Sequence, residues 1–425
     1  MTQLFLQELS WRGLLHQATD GAADALARES ISGYVGFDPT GSSLHVGHLL
    51  QVMGLVHLQR CGHRPIALVG GGTGMIGDPS GKSAERNLIS LEQVAANAES
   101  LQRQLERFLD FSGPRAARMR NNADWLLPMS LVAFLRDVGK HFSVNVMLAK
   151  DAVKSRLETG ISYTEFSYML LQAYDYAQLY EREGVTLQMG GSDQWGNITA
   201  GTELIRRAHG GEAHGVTLPL ITTADGKKFG KTAEGTSVWL DPARTSPYKF
   251  YQFWINADDR NALDYLRMFT LLDRAEVASY EQAVAERPEK RETQAALAWD
   301  VTTRAHGDAA ARAAREASRV VFDKKADPRE LSPDVLEMLS GELPYMPLAS
   351  LSAGAVSVVD MLVGTNLVKS KGDARRQLQQ GAVSVNGRRL DPDELVVATA
   401  GAVHGKWFVV RKGGREVAIV ALTDA

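Results

Sequence analysis

Cysteine is nearly absent. The one thiol among 425 residues, Cys61, can close no internal disulfide and leaves no thiolate cluster for zinc or iron–sulfur, which suits a reducing compartment and predicts a cytoplasmic protein. Long apolar runs are missing too: no stretch nears the ~18 uninterrupted apolar residues of a spanning helix. The start, Met1-Thr2-Gln3-Leu4-Phe5, lacks the basic flank and apolar run of a secretion signal, so no membrane role is expected. Net charge is only −3, which argues against coating nucleic acid by bulk charge but says nothing about a local basic patch; no DNA partner is expected. Fixed-period repeats and low-complexity tracts do not occur. What remains is ordinary globular material, 44% hydrophobic and 23% charged, long enough for two to four domains at the usual ~100–200 residues each.

Up to about residue 222 the chain alternates short apolar runs with helical patterns. Tyr34-Val35-Gly36-Phe37, Pro65-Ile66-Ala67-Leu68-Val69 and Val185-Thr186-Leu187-Gln188-Met189 end at Gly or Asp, and the first two precede amphipathic stretches. That rhythm predicts an α/β fold with a doubly wound, parallel sheet, whose ligands bind at the carboxyl ends of the strands. Residues from about 248 to 326 read as all-helical, with an alanine-rich run over 292–321. Four prolines between Pro328 and Pro347 predict a linker over 327–356. From 357 the chain turns basic, with ten Lys/Arg against seven Asp/Glu. A helix carrying Arg375 and Arg376, an Asn386-Gly387 hairpin signal and a second turn at Gly413-Gly414 make this a small α+β module.

Five stretches could carry chemistry. In Asp38-Pro39-Thr40-Gly41-Ser42-Ser43-Leu44-His45-Val46-Gly47-His48, a strand end leads into a helix opening. There two imidazoles three residues apart meet free backbone N–H groups, and Gly47 would let a flat adenine or a phosphate come close. Two ordinary surface histidines would read the same way, and zinc lacks a third ligand. Gly70–Lys82 holds six glycines in the twelve residues from Gly70 to Gly81 and leads to Arg86; Lys82 and Arg86 could meet a phosphate chain, although the spacing is not that of a Walker loop. On a helix over Tyr163–Tyr180, Tyr168, Gln172 and Asp175 share one stripe, either facing a pocket or solvated. Gly190–Asn197 follows a strand end. Gly226–Thr232 sets Lys228 and Lys231 among glycines, a cationic clasp or a plain basic loop.

Together these stretches resemble class I aminoacyl-tRNA synthetases, and the bacterial-type tyrosyl-tRNA synthetase family in particular. His45-Val46-Gly47-His48 resembles the HIGH signature and Lys228-Phe229-Gly230-Lys231-Thr232 the KMSKS loop in a KFGKT form. Tyr34–Thr40, Gly71–Asp78, Tyr168–Asp175 and Gly190–Asn197 resemble the tyrosine-specific blocks, in the right order. The resemblance implies a Rossmann-like catalytic domain over 1–232 with a helical dimerisation insertion near 120–165. It also implies a helical anticodon-binding domain over 233–326 and an RNA-binding domain over 357–425. Substrates would be ATP with Mg2+, L-tyrosine and tRNA(Tyr), in a homodimer with no dedicated metal ligands.

By the same resemblance, Thr40, His45, Lys82, Arg86, Lys228, Lys231 and Thr232 would serve the phosphates. His48, Gly47, Gly36, Asp38, Gly191 and Asp193 would serve the rest of ATP, with Asp193 at the ribose. Tyr34, Asp78, Tyr168, Gln172, Asp175, Gln188 and Gln194 would hold tyrosine. Its phenol can donate to Asp175 and accept from Tyr34, whereas an indole donates once and accepts nothing, which disfavours the tryptophan-specific sister enzyme. A small-metabolite nucleotidyltransferase would share the His-x-Gly-His stretch but need no helical domain or basic tail. A non-catalytic RNA-binding descendant would be expected to lack signature residues that are in place here.

Overall fold

Six strands near the N-terminus form the sheet that positions the site: β1 (Gln17–Ala18), β2 (Ser32–Phe37), β3 (Arg64–Val69), β4 (Arg118–Asn121), β5 (Val185–Gly191) and β6 (His214–Leu218). The computed structural model describes residues 4–78, 90–154, 160–223, 225–226, 229–231, 235–323, 326–349, 354–414 and 416–423. Strand order is β1-β6-β5-β2-β3-β4; all neighbours run parallel except β1, which pairs antiparallel with β6 at one edge. From β2 the chain winds outward through β3 and β4 on one side and through β5 and β6 on the other. The crevice between the carboxyl ends of β2 and β5 is therefore the switch point at which such sheets bind ligands. The central strands are buried along nearly their whole length, which is why they read as unbroken apolar runs.

Helix Tyr163–Glu183 crosses this crevice. Its start is set by a capping box in which Ser162 and Glu165 exchange side-chain and backbone hydrogen bonds, and Gly184 ends it in the left-handed region. One face, including Met169, Ala173, Tyr176 and Ala177, packs into a core with Tyr34, Ile66 and Leu68 of the sheet. Asp175 and Tyr168 are buried on the same helix, so the stripe they form with Gln172 is not a solvated face.

The chain divides into two compact units, Met1–Thr245 with Phe253–Ala305, and Ser246–Gln252 with His306–Ala425. Between 247 and 322 lie the five helices Pro247–Ile255, Ala262–Phe269, Arg274–Glu286, Glu292–His306 and Asp308–Phe322, as the pattern predicts.

The expected linker is instead ordered where it is described. Pro333 occupies the first turn of helix Pro333–Glu342, capped by Ser332, where a proline has no hydrogen bond to lose. Pro347 lies in β7 (Tyr345–Ala349), the edge strand of a five-stranded sheet, another position that tolerates the missing N–H. Beyond it come β8 (Ala355–Ser357), β9 (Val383–Val385), β10 (Arg388–Arg389), β11 (Val396–Ala398), β12 (Trp407–Lys412) and β13 (Glu416–Thr423). The larger sheet is ordered β10-β9-β12-β13-β7, and β8 pairs with β11. Alternate residues of β12 and β13 enter opposite cores. Phe408, Val410, Ala418 and Val420 pack with Met361, Leu362 and Leu378, while Trp407, Val409, Val417 and Ile419 pack with Leu336, Leu339 and Val320. The second core explains why the proline-rich segment is ordered: its helix covers one face of the sheet.

Candidate active site

The turn after β2 brings the paired histidines to the mouth of the crevice. His45 is the N-cap of a 3-10 turn, Val46–His48, that runs into helix Leu49–Arg60. The Gly47 N–H donates to His45 Nδ1 at 3.0 Å and the His45 N–H donates to His48 Nδ1 at 3.1 Å. Both Nδ1 atoms thus accept, which leaves the proton of each neutral ring on Nε2. The rings stack with centroids 3.9 Å apart. A Cβ on Gly47 would come within 2.8 Å of the His45 ring. The glycine is thus required by its neighbour's imidazole, a reason that the sequence reading, which reserved the space for adenine or phosphate, did not contain.

The second signature packs directly on the first. Phe229 is buried among Phe253, Trp254, Tyr265 and Phe269, stacked on the last at 5.5 Å. It anchors the described residues Gly230 and Lys231 from one side. Gly230, at φ +91°, lies so close to the Gly47 backbone that a Cβ would stand 3.2 Å from the Gly47 nitrogen. The returning chain pairs with the histidine turn: the Val46 N–H donates to the Val238 carbonyl at 2.9 Å and the Leu240 N–H to the Leu44 carbonyl at 2.8 Å. Lys231 bridges Ser237 across this return. Lys82, Arg86, Lys228 and Thr232 lie outside the described residues.

Between these elements and the sheet is a cavity. Twelve of the residues chosen from sequence line it: Tyr34, Gly36, Asp38, Thr40, His48, Asp78, Tyr168, Gln172, Asp175, Gln188, Asp193 and Gln194. His45, Gly47, Gly191 and Lys231 are not in its wall. A Cβ on Gly191 would overlap the Asp193 carboxylate, so the glycine leaves room for that side chain.

Asp175 is enclosed at one end of the cavity. Its two oxygens accept from Asn122 Nδ2 at 2.8 Å and from Trp125 Nε1 at 2.7 Å. Burial raises its pKa to about 7, only partly offset by those two donors, and the Asp38 charge adds to the rise. Burial likewise holds the Tyr34 and Tyr168 phenols well above their ordinary value, so both stay protonated. The Tyr34 hydroxyl and Gln188 Oε1, both buried, have no hydrogen-bond partner among the described residues. Two orphaned polar atoms on the wall of a cavity with a hydrogen-bonding carboxylate fit a ligand bearing a polar tip.

At the other side of the cavity Gln194 Nε2 donates to Asp78 Oδ2 at 2.6 Å, and Gln172 Nε2 and Asn197 Nδ2 donate to Gln194 Oε1 at 3.2 and 3.3 Å. The Thr73 hydroxyl donates to Asp38 Oδ1 at 3.1 Å and the Tyr168 hydroxyl to Asp38 Oδ2 at 3.4 Å. Asn122 ties Asp175 to the Thr73–Asp38 pair, because its amide also donates to Thr73 Oγ1 at 2.9 Å. Asn122, Trp125 and Thr73 are absent from the sequence-derived site. The Asn121-Asn122 pair at the carboxyl end of β4 is the signal that could have found the first, by the rule that drew attention to the ends of β2 and β5.

This geometry can be set beside known proteins. A family profile described as "tRNA synthetases class I (W and Y)" matches residues 26–323, and one described as "Tyrosine--tRNA ligase SYY-like C-terminal domain" matches 338–420. The tyrosine–tRNA ligase of Anaeromyxobacter dehalogenans is 53% identical over 418 residues, covering 98% of this chain and 99% of its own. The chain belongs to the tyrosine–tRNA ligase family of class I synthetases. The tyrosine–tRNA ligase of Geobacillus stearothermophilus is 48% identical over 423 residues, with 98% and 99% covered. Among solved structures, a C-terminally truncated mitochondrial tyrosyl-tRNA synthetase from Aspergillus nidulans matches with a TM-score of 0.68. It is 30% identical and covers 75% of this chain and 94% of its own. In this ligase-family chain the family's parallel-sheet core is therefore the part that holds the cavity.

Proposed function

We infer that the chain is a class I aminoacyl-tRNA synthetase that ligates L-tyrosine to tRNA(Tyr) through a tyrosyl adenylate, with release of pyrophosphate. The observation that carries the choice of amino acid is the buried pair at the end of the cavity, the unpartnered Tyr34 hydroxyl and the Asp175 carboxylate. A phenol donates to one and accepts from the other. A phenylalanine ring would leave the buried Tyr34 hydroxyl unpartnered and give the buried Asp175 carboxylate no donor beyond Asn122 and Trp125, a loss that no apolar contact offsets. Tyr168, Asp78 and Gln172 meet the ammonium, with Gln188 and Gln194 completing the wall.

The reaction needs no protein nucleophile. The tyrosine carboxylate attacks the α-phosphorus of ATP, the bond to the β-phosphate breaks, and pyrophosphate carries the electron pair away. A hydroxyl of the terminal ribose of tRNA then attacks the adenylate carbonyl, and AMP leaves. Catalysis is positioning plus fixed positive and donor groups where charge accumulates. Thr40, His45, Lys82, Arg86, Lys228, Lys231 and Thr232 serve the phosphates. Gly36, Asp38, Gly47, His48, Gly191 and Asp193 serve adenosine. Mg2+ enters with ATP as counter-ion of the triphosphate; among the described residues no three or more of His, Cys, Asp and Glu are placed so that they could hold a metal ion.

The same reading extends to the assembly. Leu131, Val132, Leu135, Val144, Val146 and Tyr163 expose apolar side chains, Leu131 and Val132 at 70% and 75%, and a second copy of this chain is the partner that would cover them. Among the described residues no helix is long and apolar enough to cross a membrane. The cytoplasm, which holds the substrates and keeps a lone thiol reduced, is the proposed location. Exposed Lys371, Arg375, Arg388 and Arg389 in the C-terminal part serve tRNA phosphates, and the helices within 233–326 the anticodon.

The test is pyrophosphate exchange with each of the twenty amino acids, followed by charging of tRNA(Tyr). Exchange dependent on tyrosine alone is expected. Exchange driven equally by tryptophan or phenylalanine would remove Tyr34 and Asp175 from the role given them.

A further inference from the structure

Arg244 lies in a turn that the signature motifs do not include. After the return strand, the Arg244 and Thr245 N–H groups both donate to the Asp241 carbonyl at 3.0 Å, and Thr245 Oγ1 accepts from the Trp239 N–H at 3.0 Å. The Asp241 N–H donates to Ser43 Oγ at 3.1 Å, which ties the turn to the loop that precedes His45. This fold-back sets the Arg244 guanidinium on the Trp239 ring, with Cζ 3.4 Å from the centroid. Trp239 in turn meets His45 edge-on at 5.8 Å and bridges it through the backbone. The guanidinium also reaches Gly41: Nη1 lies 3.8 Å from where a Cβ would stand on the residue that follows Thr40. No ion pair engages Arg244 among the described residues.

We propose that Arg244 binds the terminal phosphates of ATP and holds them as they depart as pyrophosphate. Stacking occupies the face of the guanidinium and fixes its plane, while the N–H donors on its edge stay available in the geometry that suits phosphate oxygens. The cavity wall itself carries Asp38, Asp78, Asp175 and Asp193. A triphosphate approaching that wall needs cations beside it, and Arg244 stands next to Gly41, the residue that follows Thr40, and on Trp239, which meets His45. Trp239 is thereby a positioning residue, and a lysine could not replace the arginine, because an ammonium offers no plane to stack. The proposal rests on the placement of the triphosphate along Thr40 and His45 given above.

The experiment compares Arg244→Ala and Arg244→Lys with the unaltered full-length enzyme. In pyrophosphate exchange both variants are expected to raise KM for ATP, about tenfold for alanine, with the KM for tyrosine unchanged. Run in reverse on enzyme-bound tyrosyl adenylate, the same variants should raise KM for pyrophosphate by the same factor. Transfer from preformed adenylate to tRNA should keep its rate. A slowed transfer with normal exchange would assign Arg244 to an acceptor-end phosphate of the RNA and overturn the proposal, as would parameters unchanged throughout. A parallel rise in tyrosine KM would mark a disturbed site and overturn it too. Thr40→Ala is measured alongside. If it changes ATP parameters while Arg244→Ala does not, only the role of Arg244 falls; if neither does, the triphosphate lies elsewhere.

Discussion

Asp175 shows how much one side chain can depend on its surroundings. An ordinary carboxyl ionises near pH 4, whereas this one is held to about 7 by burial. The consequence for stability has a definite sign. The folded state keeps this proton longer than the unfolded state does, so the group's contribution is fully present below about pH 4 and is lost as pH rises to about 7. Tyrosine binding runs the opposite way, because the phenol needs a carboxylate to accept its proton. The KM for tyrosine in pyrophosphate exchange is expected to climb as pH falls from about 8 to about 6. Asn122→Ala removes one of the two donors that favour the ionised form and should move the inflection upward. A profile that stays flat, or an Asn122→Ala profile that coincides with the parent's, would show that the carboxylate is not poised in this range. Asp175→Ala should abolish tyrosine-dependent exchange altogether.

Individual elements carry their own requirements, and the hairpin at Asn386-Gly387 is the sharpest. Val385 pairs with Arg388 across a two-residue loop whose φ angles are both positive, 48° at Asn386 and 80° at Gly387. That is a type I′ turn, and its second position is strained for any residue with a Cβ. Gly387→Ala is expected to lower stability by about 1–2 kcal/mol, read as a fall of roughly 3–6 °C in Tm, without altering pyrophosphate exchange. An unchanged melting curve would mean that the loop relaxes into another turn type at no cost. The segment from Pro328 to Pro347 makes the complementary point. Pro333 and Pro347 stand where the missing N–H costs nothing, at a helix start and on an edge strand, so proline here marks the ends of elements and not their absence.

At the scale of the whole molecule the open issue for the chain is its unpartnered apolar face. Leu131 and Val132 begin helix Leu131–Asp137 and project away from the core that their neighbours Phe134 and Val138 join. Pairing of two copies would bury these side chains, at about 1.5–3 kcal/mol for each one fully covered. Sedimentation of the 46.3 kDa chain should therefore give twice that mass, and the double substitution Leu131→Asp with Val132→Asp should return it to one. A parent that sediments as a monomer at micromolar concentration, or a dimer indifferent to the substitution, would refute the pairing.

Short-range signals were enough for much of this. The parallel α/β core, the helical character of the chain between 247 and 322 and the hairpins of the C-terminal part follow from apolar periodicity and turn residues within single stretches of chain, whereas the residues of the cavity wall were legible mainly through the resemblance of their motifs to a known family. Such signals exist because a strand end, a cap or an Asn-Gly turn is specified by adjacent residues. The packing of Gly230 on Gly47, the tie from Asn122 to Asp175, the stacking of Arg244 beside His45 and the second core that orders the proline-rich segment join residues scores to hundreds of positions apart. Only the folded chain decides these, since contact across such distances depends on how the sheet winds and which faces its helices cover, and no local pattern encodes that.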